Sequence, residues 1–325
     1  MSVATSAATV EFRAAIRDAI DEELERDETV IFFGEDIAKP GGVFAVTPGL
    51  QERHGADRVF DTPISELAIS GAAFGAAVNG LRPVIEIMFG DFLPIAMDAI
   101  VNQAAKYFYL SQEQASVPLV IRSAVGAGGR FGAIHSQNPA SWFMGVPGLK
   151  IVAPSTPGDA KALLKAAIRD DNPVLFLEHK RLYSVKGELT EDVGELGRAA
   201  VRRRGGDVTL VSAMKSVHDC LEAAEQLARD GIDAEVVDLR TLRPFDKETV
   251  LASVAQTNRL VVVEEGPRTG GWAGEVLATV AEEGLGDLDA IVRLTTPDHP
   301  IPYSPPLEDA FIPGADAIAQ AVRAL

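Results

Sequence analysis

The stretch DTPISE (Asp61–Glu66) decides the fold of this chain, because it runs directly into a long segment of small residues at positions 67–80. Pro63 restricts the residue before it to extended backbone, so the stretch should arrive at the helix as an extended segment. Ser65 is a favourable N-cap residue, and Glu66 then falls in the first turn, beside the positive end of the helix dipole. From these residues alone, Glu66 is either a solvated surface acid or a carboxylate that reaches into a cleft.

The helix predicted after DTPISE contains two interior glycines, Gly71 and Gly75. Each glycine costs about 1 kcal/mol relative to alanine, so a compensating reason is expected. Close approach of another backbone or of a flat ligand would supply that reason. The sequence therefore predicts a close contact on this helix.

Short apolar runs, typical of strands buried in a parallel sheet, alternate along the chain with stretches of helical periodicity such as 11–26. The segment 183–204 is charged and has no strand pattern, so we interpret it as a linker, beyond which the alternation restarts. Two α/β domains are expected, at residues 1–190 and 191–325. The predicted strands lie at 30–33, 83–89, 117–122, 174–177, 208–211, 234–238, 260–263 and 291–294.

Charge and cysteine content argue against several classes of protein. The 325 residues carry a formal net charge of −17, which disfavours a nucleic-acid footprint of clustered Lys and Arg. Cys220 is the only cysteine, so neither an internal disulfide nor a cysteine-rich metal site can form. No apolar run approaches the ~20 residues that span a bilayer, and positions 1–9 lack a signal-peptide pattern. We expect a cytoplasmic protein with no membrane and no nucleic-acid partner.

DTPISE, the small-residue helix and the following Gly80-Leu81-Arg82-Pro83 resemble the beta subunit of the thiamine-diphosphate-dependent 2-oxo acid dehydrogenase decarboxylating component. That family includes the pyruvate, branched-chain and acetoin dehydrogenases, and the similarity runs from about residue 10 to the C-terminus. The resemblance implies two three-layer α/β/α domains. The first would be a transketolase-like pyrimidine-binding domain (1–190), and the second a transketolase-like C-terminal domain (191–325).

The resemblance also implies how this chain holds the cofactor. Glu66 would hydrogen-bond the aminopyrimidine ring of thiamine diphosphate and activate it. Glu35, in a Gly-Glu-Asp sequence at a strand end, would lie near the same ring and help to relay protons. The ring of Phe92 would pack against the aminopyrimidine, which gives orientation as well as apolar burial. Further cofactor contacts are expected from Ile64, Ser65 and Met88.

His135 is the second catalytic candidate. It begins a His-Ser-Gln sequence that follows the glycine-rich loop 126–132. By itself it could be an ordinary surface histidine, but histidine can exchange protons near neutral pH. The resemblance implies that it contacts the substrate, together with Phe89, Gly90, Asp91 and Phe92. Phe108, Gln112 and Glu113 depart from the family pattern, as does Ile134. Glu264-Glu265, at another strand end, is expected to serve an interface.

Half of a thiamine diphosphate site is absent from the sequence. The family binds the diphosphate and Mg²⁺ through a Gly-Asp-Gly motif followed by an Asn, and this chain has no Gly-Asp-Gly. The resemblance therefore implies an alpha subunit that supplies this half, in an α2β2 heterotetramer. It also implies a possible K⁺ site at a helix end, where carbonyl groups lack helical partners. The expected ligands are the carbonyls of Leu119, Ala167, Ile168, Asp170 and Asn172.

The function implied is oxidative decarboxylation of a 2-oxo acid, with transfer of the acyl group to the lipoyl domain of a dihydrolipoyl acyltransferase core. Pyruvate is the favoured substrate, because residues 86–92 resemble the pyruvate and acetoin enzymes more than the branched-chain ones. The alternatives are an acetoin or branched-chain 2-oxo acid dehydrogenase beta subunit, and a stand-alone carboligase or transketolase half. A non-catalytic docking scaffold is a further alternative, against which the presence of Glu66, Phe92 and His135 together argues.

Overall fold

The computed structural model describes residues 9–189 and 193–325 of the chain. The predicted domain boundary at 190/191 falls outside these residues, as does most of the segment examined for a signal peptide. Within the described ranges, no helix combines the length and the apolar character that crossing a membrane requires.

Strands and helices alternate along both halves of the chain, as the sequence predicts. The strands are β1 (Thr9–Glu11), β2 (Val30–Gly34), β3 (Val59–Asp61), β4 (Arg82–Phe89), β5 (Val120–Val125), β6 (Lys150–Val152), β7 (Val174–His179), β8 (Lys186–Glu188), β9 (Ala200–Arg203), β10 (Val208–Ser212), β11 (Ala234–Asp238), β12 (Thr241–Arg243), β13 (Arg259–Pro267) and β14 (Ala290–Thr296). The α-helices are α1 (Phe12–Arg26), α2 (Leu50–His54), α3 (Glu66–Val78), α4 (Ala105–Leu110), α5 (Ala140–Met144), α6 (Pro157–Arg169), α7 (Lys215–Arg229), α8 (Lys247–Thr257), α9 (Ala273–Glu283), α10 (Pro305–Phe311) and α11 (Ala315–Arg323).

The first sheet has seven strands in the order β12-β6-β7-β5-β4-β2-β3. Its strands are parallel except β12, which runs antiparallel to β6. The interior strands are buried on both faces, which explains why their sequences are largely apolar. Helix α1 packs against α6 on one side of this sheet and buries Phe12, Ile16 and Ile20 completely.

The second sheet has the order β14-β13-β10-β11-β9, with β9 antiparallel to its neighbour. Helices α7 and α11 pack together on it around a core that includes Leu210, Val236 and Ile318. The fold is thus the predicted two-domain α/β architecture. One strand crosses between the halves, because β12 follows β11 in the chain but belongs to the first sheet.

The prediction that 183–204 lacks strands is wrong. β8 pairs with β1, and β9 forms the edge of the second sheet. The sequence Ala-Val-Arg-Arg of β9 gives no strand signal, because its arginines look like solvated surface charges. In the folded protein, acids distant in the chain neutralise them. Arg202 forms ion pairs with Asp159 and Asp238, and Arg203 pairs with Asp233 at 2.9 Å.

The helix predicted from Asp98 to Leu110 is present but is not α-helical throughout. Its first half, Asp98–Ala104, is wound as a π-helix, and α4 continues it. A short 3-10 helix, Gly90–Ala96, connects β4 to this segment.

Candidate active site

The acidic sequences predicted to bind the cofactor lie side by side at the carboxyl ends of adjacent parallel strands. Gly34, at the end of β2, is in register with Asp61 of β3 and with Glu86 of β4. The N–H of Thr62 donates to the carbonyl of Gly34 at 2.9 Å, and the N–H of Ala38 donates to the Asp61 carboxylate at 2.8 Å. This sheet edge is where open α/β folds place their ligands.

Glu66 is the first residue of α3 and is buried, with only 6% of its surface exposed. This burial favours the cleft interpretation over the solvated one. The predicted N-cap role of the Ser65 side chain is wrong. Its backbone (φ −168°, ψ 86°) brings its carbonyl to the N–H of Ile69 at 2.9 Å, but its hydroxyl makes no capping hydrogen bond. Glu66 therefore lies at a helix start whose N–H groups are not satisfied by a side-chain cap.

Glu35 follows β2 and is 7% exposed. Burial raises the pKa of its carboxyl above the ordinary value, and the nearby carboxylates of Glu66 and Asp36 raise it further. The backbone N–H of Ser65 opposes this pKa shift by hydrogen bonding. Two carboxyl groups with different surroundings at one strand edge can share and pass a proton.

One face of α3 meets no other part of residues 9–189 and 193–325. A Cβ placed at Gly71 or Gly75 would contact no atom within 4 Å. Ile64, immediately before the helix, is 82% exposed, and Leu67 is also exposed. Beside this face lies an apolar groove of about 400 Å³, lined in part by Phe33, Phe60, Pro63 and Ala72. A close contact was predicted to compensate for the cost of Gly71 and Gly75, and the described residues do not make one.

His135 and the two predicted aromatic contacts come together in one cluster. The His135 ring packs edge-on against Phe89, with centroids 4.8 Å apart, and against Phe92 at 5.3 Å. Phe131, from the glycine-rich loop, packs against Phe89 at 6.2 Å. Phe92 and His135 are only partly buried, so each keeps accessible surface.

Lys180 completes this cluster, and sequence reasoning missed it. Its ammonium donates to the backbone carbonyl of His135 at 2.7 Å and lies 5.3 Å from the Phe89 ring centroid. Burial lowers its pKa to about 8, although the carboxylates of Asp91, Glu265 and Glu308 oppose the shift. Its position directly after strand β7, at the same sheet edge, is the signal that could have identified it.

The predicted substrate residues Gly90 and Asp91, and the predicted cofactor residue Met88, lie at the end of β4 next to this cluster. The carboxylate of Asp91 accepts from the backbone N–H and the side-chain amide of Gln137, at 3.2 and 2.9 Å. Gly90 is buried, and a Cβ there would lie 2.6 Å from a methyl group of Val125. Met88 is partly buried on β4. These contacts fix the His-Ser-Gln segment against the end of β4.

A buried charged network lies beneath the site, in the middle of the sheet. Arg122 donates two hydrogen bonds to Glu178, at 2.7 and 2.9 Å, and one to Glu86 at 2.8 Å. The hydroxyl of Tyr183 donates to Glu178 at 2.9 Å. Burial raises the pKa of Glu86, and it also raises that of Tyr183. Stacking of Tyr183 on Phe44, which packs against Phe89, connects this network to the aromatic cluster.

The carbonyls expected to bind K⁺ do lie around the end of α6, but most already accept hydrogen bonds. The Arg82 guanidinium donates to the carbonyls of Ile168 and Asp170, both at 3.1 Å. Backbone N–H groups bind the carbonyls of Ala167 and Leu119. The Arg82 guanidinium therefore already binds two of the five carbonyls predicted to hold the ion. In the described part of the chain, no group of three or more His, Cys, Asp and Glu side chains could hold a metal ion.

Comparisons with known proteins give the family and the fold of the chain. The family model described as "Transketolase, pyrimidine binding domain" matches residues 8–186, and "Transketolase, C-terminal domain" matches residues 197–318. A solved chain described as "Split gene transketolase, inactive beta4 tetramer" superposes with a TM-score of 0.81 over 97% of both chains. At 23% sequence identity, this likeness shows the fold alone.

Among curated relatives, the beta subunit of acetoin:2,6-dichlorophenolindophenol oxidoreductase from Cupriavidus necator is 49% identical over 324 residues, covering 96% of each chain. The 2-oxoisovalerate dehydrogenase subunit beta of Bacillus subtilis is 46% identical, covering 96% of this chain and 97% of the relative. The pyruvate dehydrogenase E1 component subunit beta-1 of Arabidopsis thaliana is 44% identical, covering 99% and 91%. The chain therefore belongs to the beta-subunit family of the thiamine-diphosphate-dependent 2-oxo acid and acetoin dehydrogenases.

Proposed function

We propose that this chain is the beta subunit of a 2-oxo acid dehydrogenase decarboxylating component that acts on pyruvate and transfers the acyl group to the lipoyl disulfide of an acyltransferase. The observation that carries the proposal is the buried carboxylate of Glu66, at an uncapped helix start beside Glu35. The Phe92–His135 pair supports it, because it places an aromatic face and an acid–base group at the same strand edge.

The described residues fit one half of a thiamine diphosphate site. Glu66 is a buried acceptor for a ring nitrogen, and the partly exposed Phe92 ring offers a flat surface for a heterocycle. When bound, the cofactor would supply a positively charged ring that takes up the electron pair left by loss of CO₂. Ile64, Ser65 and Met88 would line the ring, and Glu35 would hold or release a proton next to Glu66.

His135 would handle protons at the substrate. Its imidazole projects from a loop, and its backbone is held by Lys180. The edge-on packing against Phe89 and Phe92 fixes the plane of the ring, so that one nitrogen faces a constant direction. Fixed orientation is what a general acid or base needs for efficient transfer. Phe89, Gly90 and Asp91 would shape the substrate side of the pocket.

The second half of the site would come from an alpha subunit. The open face of α3 and its exposed apolar neighbours provide a surface of the required kind. That subunit would bind the diphosphate and Mg²⁺, in an α2β2 assembly that delivers acyl groups to a lipoyl domain.

Bound potassium is the part of the hypothesis that the contacts support least, because the Arg82 guanidinium already donates to two of the five predicted carbonyls. Equal melting temperatures in KCl and NaCl would argue against the ion. A cytoplasmic location is also part of the proposal, and cell fractionation tests it.

The decisive experiment measures turnover of pyruvate, 2-oxoisovalerate and acetoin by the chain reconstituted with an alpha subunit of the same family. We expect pyruvate to give the highest kcat/KM. Preference for acetoin or 2-oxoisovalerate would select the corresponding alternative, since relatives of all three kinds are 44–49% identical. No turnover of any of them would favour the docking scaffold.

The division of the cofactor site between two subunits needs its own measurement. Titration of thiamine diphosphate and Mg²⁺ into the purified chain, with and without the alpha subunit, separates a shared site from a complete one. Tight binding by the isolated chain would contradict the division and favour a stand-alone carboligase or transketolase-like enzyme.

A further inference from the structure

The loop that carries His135 is unusually rich in left-handed backbone. It leaves β5 at Gly126 and is closed at its base by a 3.1 Å hydrogen bond from the N–H of Gly126 to the carbonyl of Gln137. Gly126, Gly128 and Arg130 have φ values of 91°, 92° and 63°. A backbone that alternates in this way directs several N–H groups outward in one direction, where they need an acceptor.

Two carboxylates of the C-terminal domain are those acceptors. Glu265 accepts from the N–H of Ala127 at 2.6 Å. Glu308 accepts from the N–H of Gly128 at 2.9 Å and from that of Arg130 at 3.3 Å. The Arg130 guanidinium also binds Glu308, at 2.6 Å. The Glu308 side chain is completely buried, so these contacts form in the absence of competing water.

The N-terminal domain holds the loop from the opposite side. A Cβ on Gly126 would lie 2.1 Å from the His179 ring, and a Cβ on Gly128 would lie 2.3 Å from the side chain of Arg181. His179 is itself bound to Glu265 at 2.8 Å. The first part of the loop is thus packed between the end of β7 and the two carboxylates, with no room for side chains at its glycines.

We propose that Glu265 and Glu308 are positioning residues, through which the C-terminal domain fixes the loop that presents His135. A loop with this glycine content is conformationally free unless it is held, and charge-assisted hydrogen bonds to backbone N–H groups are among the stronger restraints. Neither carboxylate touches the His135 side chain in the contacts above. The proposal rests on the role given to His135 under the proposed function, and it assigns the second domain a part in that role.

Glu308→Gln tests the proposal, because the amide keeps the shape of the side chain but removes its charge. Glu283→Gln is the matched control, since Glu283 lies in the same domain and pairs with Lys247 at the surface, away from the loop. In the purified protein, we expect amide hydrogen exchange at 127, 128 and 130 to be about tenfold faster in Glu308→Gln than in wild type or the control. Equal exchange rates in the three proteins would overturn the proposal.

Kinetics of the reconstituted enzyme test whether the restraint acts through His135. We expect Glu308→Gln to lower kcat about tenfold, while KM and cofactor affinity change by less than about twofold. In a His135→Ala background, the same substitution should have no further effect. A loss that persists undiminished in that background would mean that Glu308 acts by another route, and would refute the positioning role.

Failure of the variant to assemble, failure of the proposed function and failure of the positioning role give different results. If Glu308→Gln does not assemble, Glu308→Asp replaces it, because the shorter carboxylate keeps the charge but cannot reach both N–H groups. If the wild-type enzyme turns over no substrate, the proposed function fails, and the exchange experiment still decides whether the carboxylates hold the loop. If His135→Ala is fully active, the positioning role is refuted while the decarboxylase activity stands.

Discussion

The ammonium group of Lys180 donates a 2.7 Å hydrogen bond to the backbone carbonyl of His135 and lies over the ring of Phe89. A buried lysine thus holds the main chain of the proposed acid–base residue, while aromatic rings hold its side chain. Because burial lowers the pKa of Lys180 to about 8, this restraint changes strength within an accessible pH range.

Lys180→Met should lower kcat and remove an alkaline limb near pH 8 from the pH–rate profile. The charged ammonium donates a stronger hydrogen bond than the neutral amine, so wild-type activity should fall as the pH rises through about 8. The profile of kcat against pH for both proteins, from pH 6 to pH 10, checks this. An unchanged alkaline limb in the variant would assign the titration to another group.

The lowered pKa of Lys180 also makes the folding stability of the protein depend on pH. An unfolded lysine titrates near 10.4, whereas Lys180 in the folded protein titrates at about 8. Between these values the unfolded chain binds the extra proton, so the stability of wild type relative to Lys180→Met should rise with pH. Urea denaturation at pH 7, 8, 9 and 10 measures this difference. A flat or falling difference would contradict the lowered pKa.

Glu66→Gln should reduce decarboxylation by a factor on the order of 10²–10⁴, the range typical of losing a positioned acid or base. The amide is of similar size, so the secondary structure and melting temperature should change little. Glu52→Gln, an exposed position in α2, is the matched control. Turnover within twofold of wild type in Glu66→Gln would refute the assignment.

Glu35→Gln should stabilise the folded protein at neutral pH. The pKa of Glu35 is raised by burial and by the carboxylates of Glu66 and Asp36, so the folded protein holds this proton more tightly than the unfolded chain. Its contribution to stability is therefore present at low pH and is lost as the pH rises through the folded pKa. Melting temperatures from pH 4 to pH 8 should show the advantage of the variant growing with pH. Lower catalytic activity of the same variant would link Glu35 to proton transfer.

Arg122→Met should cost about 3–5 kcal/mol of unfolding free energy, because it leaves two buried carboxylates without their cation. Arg122 is bound on both sides, to Glu178 and to Glu86. Glu86→Gln should cost much less, since the raised pKa of Glu86 already reflects an environment that tolerates the neutral form. Chemical denaturation of both variants checks the order. Equal losses in the two variants would contradict the tolerance of this site for a neutral Glu86.

The parts of the fold that follow from local periodicity could be predicted from the sequence. The buried strands around Phe32, Ile85 and Leu175 are largely apolar runs, and their order along the chain fixes the two-domain α/β architecture. β12 could not be predicted, because three residues of mixed character give no periodic signal. β9 was missed for a different reason: its arginines look solvated until Asp159 and Asp238 are brought beside them by folding.

The candidate site, too, has parts that could be predicted from the sequence and parts that could not. The resemblance to the family predicted that Phe92 and His135 lie in one site, and they do pack together. The residues alone left Glu66 open between a solvated acid and a cleft acid, and only folding shows that it is buried. Glu308 acquires its significance only from three-dimensional packing, since nothing in the local sequence distinguishes it from a solvated surface charge. Lys180 was missed although its position directly after a buried strand could have identified it. The Ser65 cap was wrong because the backbone angles at that residue, not its chemical type, decide whether the hydroxyl can reach the helix N–H groups.

The antiparallel strand β12 makes the two halves of this polypeptide dependent on each other. It covers the outer edge of β6, with Thr241 opposite Val152. A chain shortened to its first 190 residues would leave the backbone donors and acceptors of β6 uncovered, an edge that invites pairing with strands of other molecules. A gene fusion or domain exchange within this family that separates β12 from the first half should therefore yield a protein that self-associates.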